Sequence, residues 1–316
     1  MIDAMRLERQ WNNNVFAVDE EGAYIVTNGL NEEGECVEGY LWAFGLTEEG
    51  KIVVRWKSSY ENSGVLKPGL SNVGSGTTPS ISVTKDGVGL VSIVDNAQPM
   101  NVCAYNREDG TLVSKVPYFD DLQGGDEASL IAVGKYITCE NNYNHVLVPV
   151  PTPQAPNAPG MGMFQINNTN YDPNETDGGN ISRLWTLPDT HFYAMNMLCR
   201  ESGIIFANTA DWSDPVSETE GALYSISAID SYDGRIIWQI PLGRGAFYTH
   251  DFGGLYFNRK NTLIMGTNYH VISIQTVGDS GGGCSAGMAG GLALLLIPLL
   301  ALMMIRGAKK ADPDGR

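Results

Sequence analysis

The sequence is short of the residues that most often carry chemistry. Its 316 positions hold four histidines, His145, His191, His250 and His270, without metal-ligand spacing. The five cysteines, Cys36, Cys103, Cys139, Cys199 and Cys284, include no adjacent pair. Isolated histidines in strand-forming sequence are usually structural, and Cys103 and Cys139 lie in apolar runs where a thiol acts as a small hydrophobe. Disulfides persist outside the cytoplasm, but the four body cysteines sit in different segments, so mostly buried thiols are expected. Basic residues are scarce too: 20 Lys and Arg face 36 Asp and Glu, for a net charge of −16. Residues 1–280 carry −18 and residues 281–316 carry +2. A body of this charge, with no basic stripe to release counterions from phosphates, excludes nucleic acid as a partner. The N-terminus lacks an apolar core as well. Met1 to Trp11 has acids at Asp3 and Glu8 and does not read as a secretory leader.

A long apolar run comes only at the end. Gly281, Gly282, Gly283 and Cys284 open an uncharged stretch that continues to Ile305 and is closed by Arg306, Lys309 and Lys310. About 20 membrane-compatible residues at 1.5 Å each span a hydrocarbon core. A transmembrane helix is therefore expected over 292–310, after a Gly/Ser/Cys-rich stalk over 277–291. Lys and Arg mark the cytoplasmic side, so the body is expected to be exported. Pro298 is tolerated in such a helix. The order of glycines, cysteine, apolar run and basic end resembles the bacterial carboxy-terminal sorting signals of the GlyGly-CTERM and Synerg-CTERM type. The resemblance covers about the last tenth of the chain. It implies recognition by a membrane sorting protease, cleavage at or near Cys284, and display of the body at the cell surface. A plain single-pass anchor is the alternative.

The body repeats itself. Leu41-Trp-Ala-Phe-Gly-Leu-Thr-Glu-Glu-Gly50 leads into Lys51 to Trp56, Asn101 to Gly110 into Thr111 to Val116, and Ala222 to Gly234 into Arg235 to Trp238. A stretched copy runs from Met163 to Gly179 and on to Trp185. The offsets from turn glycine to Trp56, Val116, Trp185 and Trp238 are all even, so period two puts these residues on one strand face. They read as buried packing positions. Upstream of each hairpin lies another pair of short apolar runs, such as Val15 to Val18 with Ala23 to Val26. Four strands per unit suit propeller blades. Ala228-Ile-Asp230-Ser-Tyr-Asp-Gly234-Arg-Ile-Ile-Trp238 resembles the quinoprotein-like (PQQ-like) propeller repeat, Ala-x-Asp-x-x-x-Gly-x-x-x-Trp. The fold expected is all-β, a β-propeller over 1–276 with about five four-stranded blades near 13–60, 77–120, 128–188, 191–243 and 246–276. Residues 1–12 read as an orphan outer strand. It either closes the ring beside Val271 to Ile274 or marks a chain cut within a blade, the missing export leader and the small blade number then being two signs of one loss.

Candidate chemistry is sparse. Asn168, Asn170, Asp172 and Asn174 alternate oxygen ligands as calcium loops do, although the bidentate Glu that ends such loops is lacking. Gly278 to Gly282 spells a serine-protease nucleophile motif but has no strand-borne partners around it; a flexible stalk is the better account. The proline-rich run from Val148 to Pro159 reads as an insertion protruding from the third blade. The quinoprotein resemblance implies, in some relatives, pyrroloquinoline quinone with Ca²⁺, held by an adjacent Cys pair, a Trp platform and Asp/Glu/Asn ligands; the Cys pair is absent here. The function expected is a non-enzymatic, surface-displayed interaction or structural module, without cofactor save a Ca²⁺ candidate, and with a surface protein or glycan as ligand. Two alternatives stay open: a truncated or degenerate quinoprotein-type oxidoreductase, and a glycan-binding propeller. For glycan cleavage paired carboxylates would be needed, and Asp126, Glu127, Asp211 and Asp214 have no assigned place in the sequence alone.

Overall fold

Short apolar runs broken by turn glycines give five antiparallel sheets. The computed structural model describes residues 3–119, 123–145, 156–167, 181–249, 254–258, 262–275 and 295–298. The first sheet contains β1 (Gln10–Trp11), β2 (Ala17–Val18), β3 (Ala23–Leu30), β4 (Cys36–Leu46) and β5 (Ile52–Tyr60), with β1 and β2 both on the free side of β3. The second is β6 (Ser80–Val83), β7 (Gly89–Val94), β8 (Asn101–Asn106) and β9 (Leu112–Pro117). The third is β10 (Ile131–Val133), β11 (Tyr136–Glu140), β12 (Met161–Ile166) and β13 (Ile181–Thr186). The fourth is β14 (His191–Cys199), β15 (Ile204–Asp211), β16 (Leu223–Asp230) and β17 (Ile236–Arg244). The fifth is β18 (Leu255–Phe257), β19 (Leu263–Gly266), β20 (His270–Ile274) and β21 (Leu295–Pro298). Within each of the last four sheets, strands pair in chain order. The first strands touch from sheet to sheet, β6 with β10, β10 with β14 and β14 with β18, which sets them on the inside of the arrangement.

Each interface between sheets is a separate apolar cluster. Tyr24, Leu41 and Trp56 meet Ile93 and Tyr105; Leu90, Val102 and Val116 meet Ile137, Phe164 and Ile181. Met161, Met163 and Trp185 meet Phe192, Ile205 and Ile229, and Phe206, Ile226 and Leu242 meet Met265 and Ile272. A buried side chain of this size contributes about 1.5–3 kcal/mol. Two tryptophans add directional joints. Trp56 Nε1 donates to the Arg107 carbonyl at 2.9 Å, and Trp185 Nε1 donates to the Ser231 carbonyl at 2.9 Å. Each indole lies flat on the turn glycine of the next sheet: a Cβ at Gly110 would come 2.5 Å from Trp56, and one at Gly234 2.8 Å from Trp185. Both glycines have positive φ, +75° and +76°, so the residue is required twice over.

The structure corrects three expectations. Gln10 and Trp11 pair with Gly29 and Asn28 of β3, so this segment belongs to the first sheet and is neither an orphan outer strand nor a partner of Val271 to Ile274. β2 is too short to cover β3, and β1 satisfies the donors and acceptors that β2 leaves. Trp238 is not buried like Trp56 and Trp185; it stays 37 % exposed, against Phe206. The connection from β20 to β21 falls almost wholly outside the described residues. Finally, Leu295–Pro298, within the expected membrane helix, is β21, with Leu295 opposite Ser273 and Pro298 opposite His270. The open edge of β20 offers unpaired backbone groups, and a proline at the last pair of an edge strand costs no ladder bond. Among the described residues no helix is long and apolar enough to cross a membrane. Gly281, Gly282, Gly283, Cys284, Arg306, Lys309 and Lys310 lie outside them, as do Asn168, Asn170, Asp172 and Asn174.

Candidate functional site

Between the third and fourth sheets the apolar packing gives way to a polar cleft. Period two puts Ile205, Ala207, Thr209 and Asp211 of β15 on one face, and the first two pack against Trp185 and its neighbours. Along the same face the residues turn hydrophilic. Thr209 stands opposite Ser225, and Ser227 opposite Gln239. The result is a cavity of about 540 Å³ lined by Asp189, Thr190, His191, Thr209, Asp211, Trp212, Ser213, Ser225 and Gln239, with Ala210, Leu223 and Ile236 as its apolar walls.

The polar floor is held in place by its own bonds. Thr209 Oγ1 and Ser227 Oγ are 2.6 Å apart, and Gln239 Nε2 donates to Ser227 Oγ at 2.9 Å. At the rim, His191 Nδ1 lies 2.8 Å from the Asn157 carbonyl. A carbonyl only accepts, so Nδ1 carries the proton and Nε2 is left as an acceptor. Burial lowers the His191 pKa, which favours the neutral ring at physiological pH. Asp211 is shifted the other way. Its carboxyl is held below the usual range, chiefly by the Ser213 side chain and then by the Ser213 backbone N–H, which donates at 2.8 Å. The cleft thus offers a fixed carboxylate, a neutral imidazole, hydroxyls, a carboxamide and an indole. Among the described residues it brings together no nucleophile–base pair and no third group orienting one.

The other acids flagged in the sequence go elsewhere. Asp214 is paired with Arg244. Glu127 accepts from the Ser71 N–H and hydroxyl, tying the third sheet to a loop of the first. Asp126 is buried and accepts from the Ala128 N–H at 2.7 Å. With Glu140, also buried, it is held above the usual carboxylate range by burial first. Of the cysteines, Cys103 and Cys139 are buried and Cys36 and Cys199 half-buried, all four as free thiols. The sequence reading missed Trp212, Ser225 and Gln239 as site residues and set His191 aside. The available signal was the change from apolar to polar residues on one face of β15 and β16.

No protein-family model matches the chain, and no curated protein matches it. Solved structures do. A europium-containing methanol dehydrogenase superposes with a TM-score of 0.53 at 10 % identity, over 85 % of this chain and 51 % of its own. A quinohemoprotein alcohol dehydrogenase from Comamonas testosteroni gives 0.53 at 12 %, over 84 % and 41 %. BamB from Moraxella catarrhalis gives 0.49 at 12 %, over 85 % and 58 %. The chain has the β-propeller fold with PQQ-like repeats, and it spans roughly half the length of these neighbours. Its sheets are the blades.

Among the described residues, the features by which some quinoprotein relatives hold a quinone cofactor are not brought together. The sequence holds no adjacent cysteines, and Trp56 and Trp185 are committed to joints between blades. No group of three or more His, Cys, Asp or Glu among the described residues is arranged to hold a metal.

Proposed function

We propose that this chain is a non-enzymatic, surface-displayed β-propeller that binds a neutral, hydroxyl-rich ligand, a glycan, in the cleft between its third and fourth blades. The observation that carries the reading is the lining of that cleft. Its volume, about 540 Å³, lies in the range of small-ligand sites. Its lining mixes hydroxyl, carboxylate, carboxamide and imidazole groups with the apolar surfaces of Trp212, Leu223 and Ile236. The polar groups pair with sugar hydroxyls as donors and acceptors, and Trp212 supplies a flat apolar surface. The acidic body disfavours anionic ligands. Surface display rests on the sequence of the tail, Gly281 to Lys310, as a sorting signal cut near Cys284, a cut that separates β21 from the edge of the fifth blade.

Isothermal titration of the protein against laminarin, xylan, mannan and chitin oligosaccharides tests the binding reading. One of the four is expected to bind, and Trp212→Ala, and the combined Thr209→Val, Ser227→Ala and Gln239→Leu, to abolish that binding, with thermal melting of each variant checking that it stays folded. Binding by none of them, or binding that survives both variants, would overturn it. Mass spectrometry of surface-released protein tests the sorting reading: peptides are expected to stop near Cys284, and an intact Gly315-Arg316 end on released protein would refute it.

A further inference from the structure

The groups lining the cleft change in kind along its length. Leu223, Ser225 and Ser227 of β16 share one face with Ile229, which pairs with the lining residue Ile236. From residue 223 to residue 229, at about 3.3 Å per residue, the lining extends over about 20 Å, a shape suited to an elongated ligand. Its middle is made of hydroxyls. Thr209, Ser225 and Ser227 each donate or accept, so they accommodate one sugar hydroxyl as well as another.

The end at Asp211 holds groups of fixed polarity. Asp211, its carboxyl held below the usual range, stays ionised and only accepts. His191 Nε2 likewise only accepts, since the ring proton sits on Nδ1 against the Asn157 carbonyl. Trp212 Nε1 only donates, and this buried N–H has no hydrogen-bond partner. Leu223 stands directly across from Asp211 in the ladder of β15 and β16, where facing Cβ atoms are about 4.5–5.5 Å apart, and Ala210 extends the apolar wall. A fixed acceptor, an unused donor and an apolar seat therefore lie at one end of the cleft. A sugar hydroxyl there adapts to either polarity and brings nothing to Leu223. An ammonium group serves Asp211 and His191 but offers the indole N–H no acceptor. An acetamido group matches all three, because its N–H only donates, its carbonyl only accepts and its methyl is apolar.

We propose that the cleft selects an N-acetylhexosamine, with the acetamido N–H on Asp211, its carbonyl on Trp212 Nε1 and its methyl against Leu223. The inference rests on the glycan reading and names the class of sugar. Selectivity follows from the cost of leaving a polar group unpaired, which exceeds the gain from pairing it. A sugar without the acetamido group leaves the indole N–H unpaired, and a site built around such a group rejects the analogue that lacks it.

Isothermal titration with chitotriose, cellotriose and fully de-N-acetylated chitotriose tests it, since these share linkage and length and differ in one ring substituent. Chitotriose is expected to bind about ten-fold tighter than either of the others, the discrimination given by roughly one unpaired buried group. Trp212→Phe keeps the flat surface and removes the N–H; it should weaken chitotriose about ten-fold and leave any affinity for cellotriose unchanged. Leu223→Thr, which removes the apolar seat, should likewise weaken chitotriose and not cellotriose. Thermal melting of both variants checks the fold. Cellotriose binding as tightly as chitotriose, or a preference for chitotriose that survives both substitutions, would overturn the N-acetyl inference and leave the glycan reading standing. The same holds if laminarin, xylan or mannan oligosaccharides bind and chitotriose does not. Tighter binding of the de-N-acetylated form would overturn it in favour of a site that reads positive charge. Binding by none of these sugars would overturn both readings.

Discussion

The contact between the second and third blades and the contact between the third and fourth start from the same geometry and end differently. In the first, Leu90, Val102 and Val116 close on Ile137, Phe164 and Ile181. In the second, Trp185 seals one part with Met161 and Ile205, and further along the same strands Thr209, Ser225 and Gln239 replace the apolar residues and a cleft opens. Period two keeps the backbone indifferent to the change. A propeller interface therefore opens into a cleft by exchanging side chains on one face, provided the exposed polar groups pair with each other and avoid the cost of burial alone.

The largest test of this contrast removes a seal. Trp185→Ala is expected to cost about 3–5 kcal/mol through lost burial and a cavity, measured by urea unfolding. Trp238→Ala, at a half-exposed position, is expected to cost about 1 kcal/mol, since roughly half as much apolar area is lost. Equal costs would break the distinction between the buried and the half-exposed tryptophan.

Acid–base behaviour sharpens the contrast between dry and wet surroundings. Asp95, buried beside Cys103, accepts from the Asn101 N–H at 2.7 Å and from the Asn101 side chain. Burial outweighs these bonds and pushes its pKa up to about 6. A raised folded-state value means that the folded form holds its proton longer. Stability is then fully present below about pH 4 and is lost as pH rises toward about 6, by about 2–3 kcal/mol at most at 1.36 kcal/mol per unit. Asp95→Asn should remove that fall. Asp211, at the cleft, is shifted down, so its contribution is present at neutral pH and lost on acidification, and Asp211→Asn should remove the opposite slope. Denaturant titrations across pH 3–8 read both; slopes of the same sign would contradict the assignment.

Next come the joints. Gly110→Ala and Gly234→Ala each push a methyl into an indole at positive φ and should cost about 2–3 kcal/mol. Gly50→Ala should cost only the backbone component, about 1 kcal/mol, as compared by thermal melting. The smallest expected effect on stability is that of Thr209→Val, Ser227→Ala and Gln239→Leu combined. Removing all the partners of a polar network at once is nearly neutral, under about 1 kcal/mol, yet it should eliminate ligand binding in the cleft. A severe loss of stability would show that the floor is structural and not a site.

The sheets and their tryptophan joints were legible because they rest on local signals: turn glycines, period-two runs, and an even spacing from Gly50, Gly110 and Gly179 to the residues that follow. The first sheet's β1 was not, since two residues carry no period and its pairing with Asn28 and Gly29 is a tertiary choice. Trp238 followed the pattern and still came out half-exposed, because burial depends on the neighbouring blade and not on its own strand. The cleft was the least legible part. His191, Asp211 and Gln239 are 20 and 28 residues apart in sequence and meet only through the register of β14 to β17. Asp126 and Glu127, adjacent in sequence, point to different neighbours.

The indole-on-glycine joints also bear on how such chains change over evolutionary time. The first, third and fourth repeats each carry both halves of the fastening, a glycine turn and an outer-strand tryptophan (Gly50 with Trp56, Gly179 with Trp185, Gly234 with Trp238), and neither half needs a special sequence elsewhere. Duplicating or deleting a whole repeat therefore hands on a working plug and a working socket together. The number of units can drift by gene duplication without coordinated substitutions, and where a repeat has diverged, as at Val116, an ordinary aliphatic contact takes the place of the fastening.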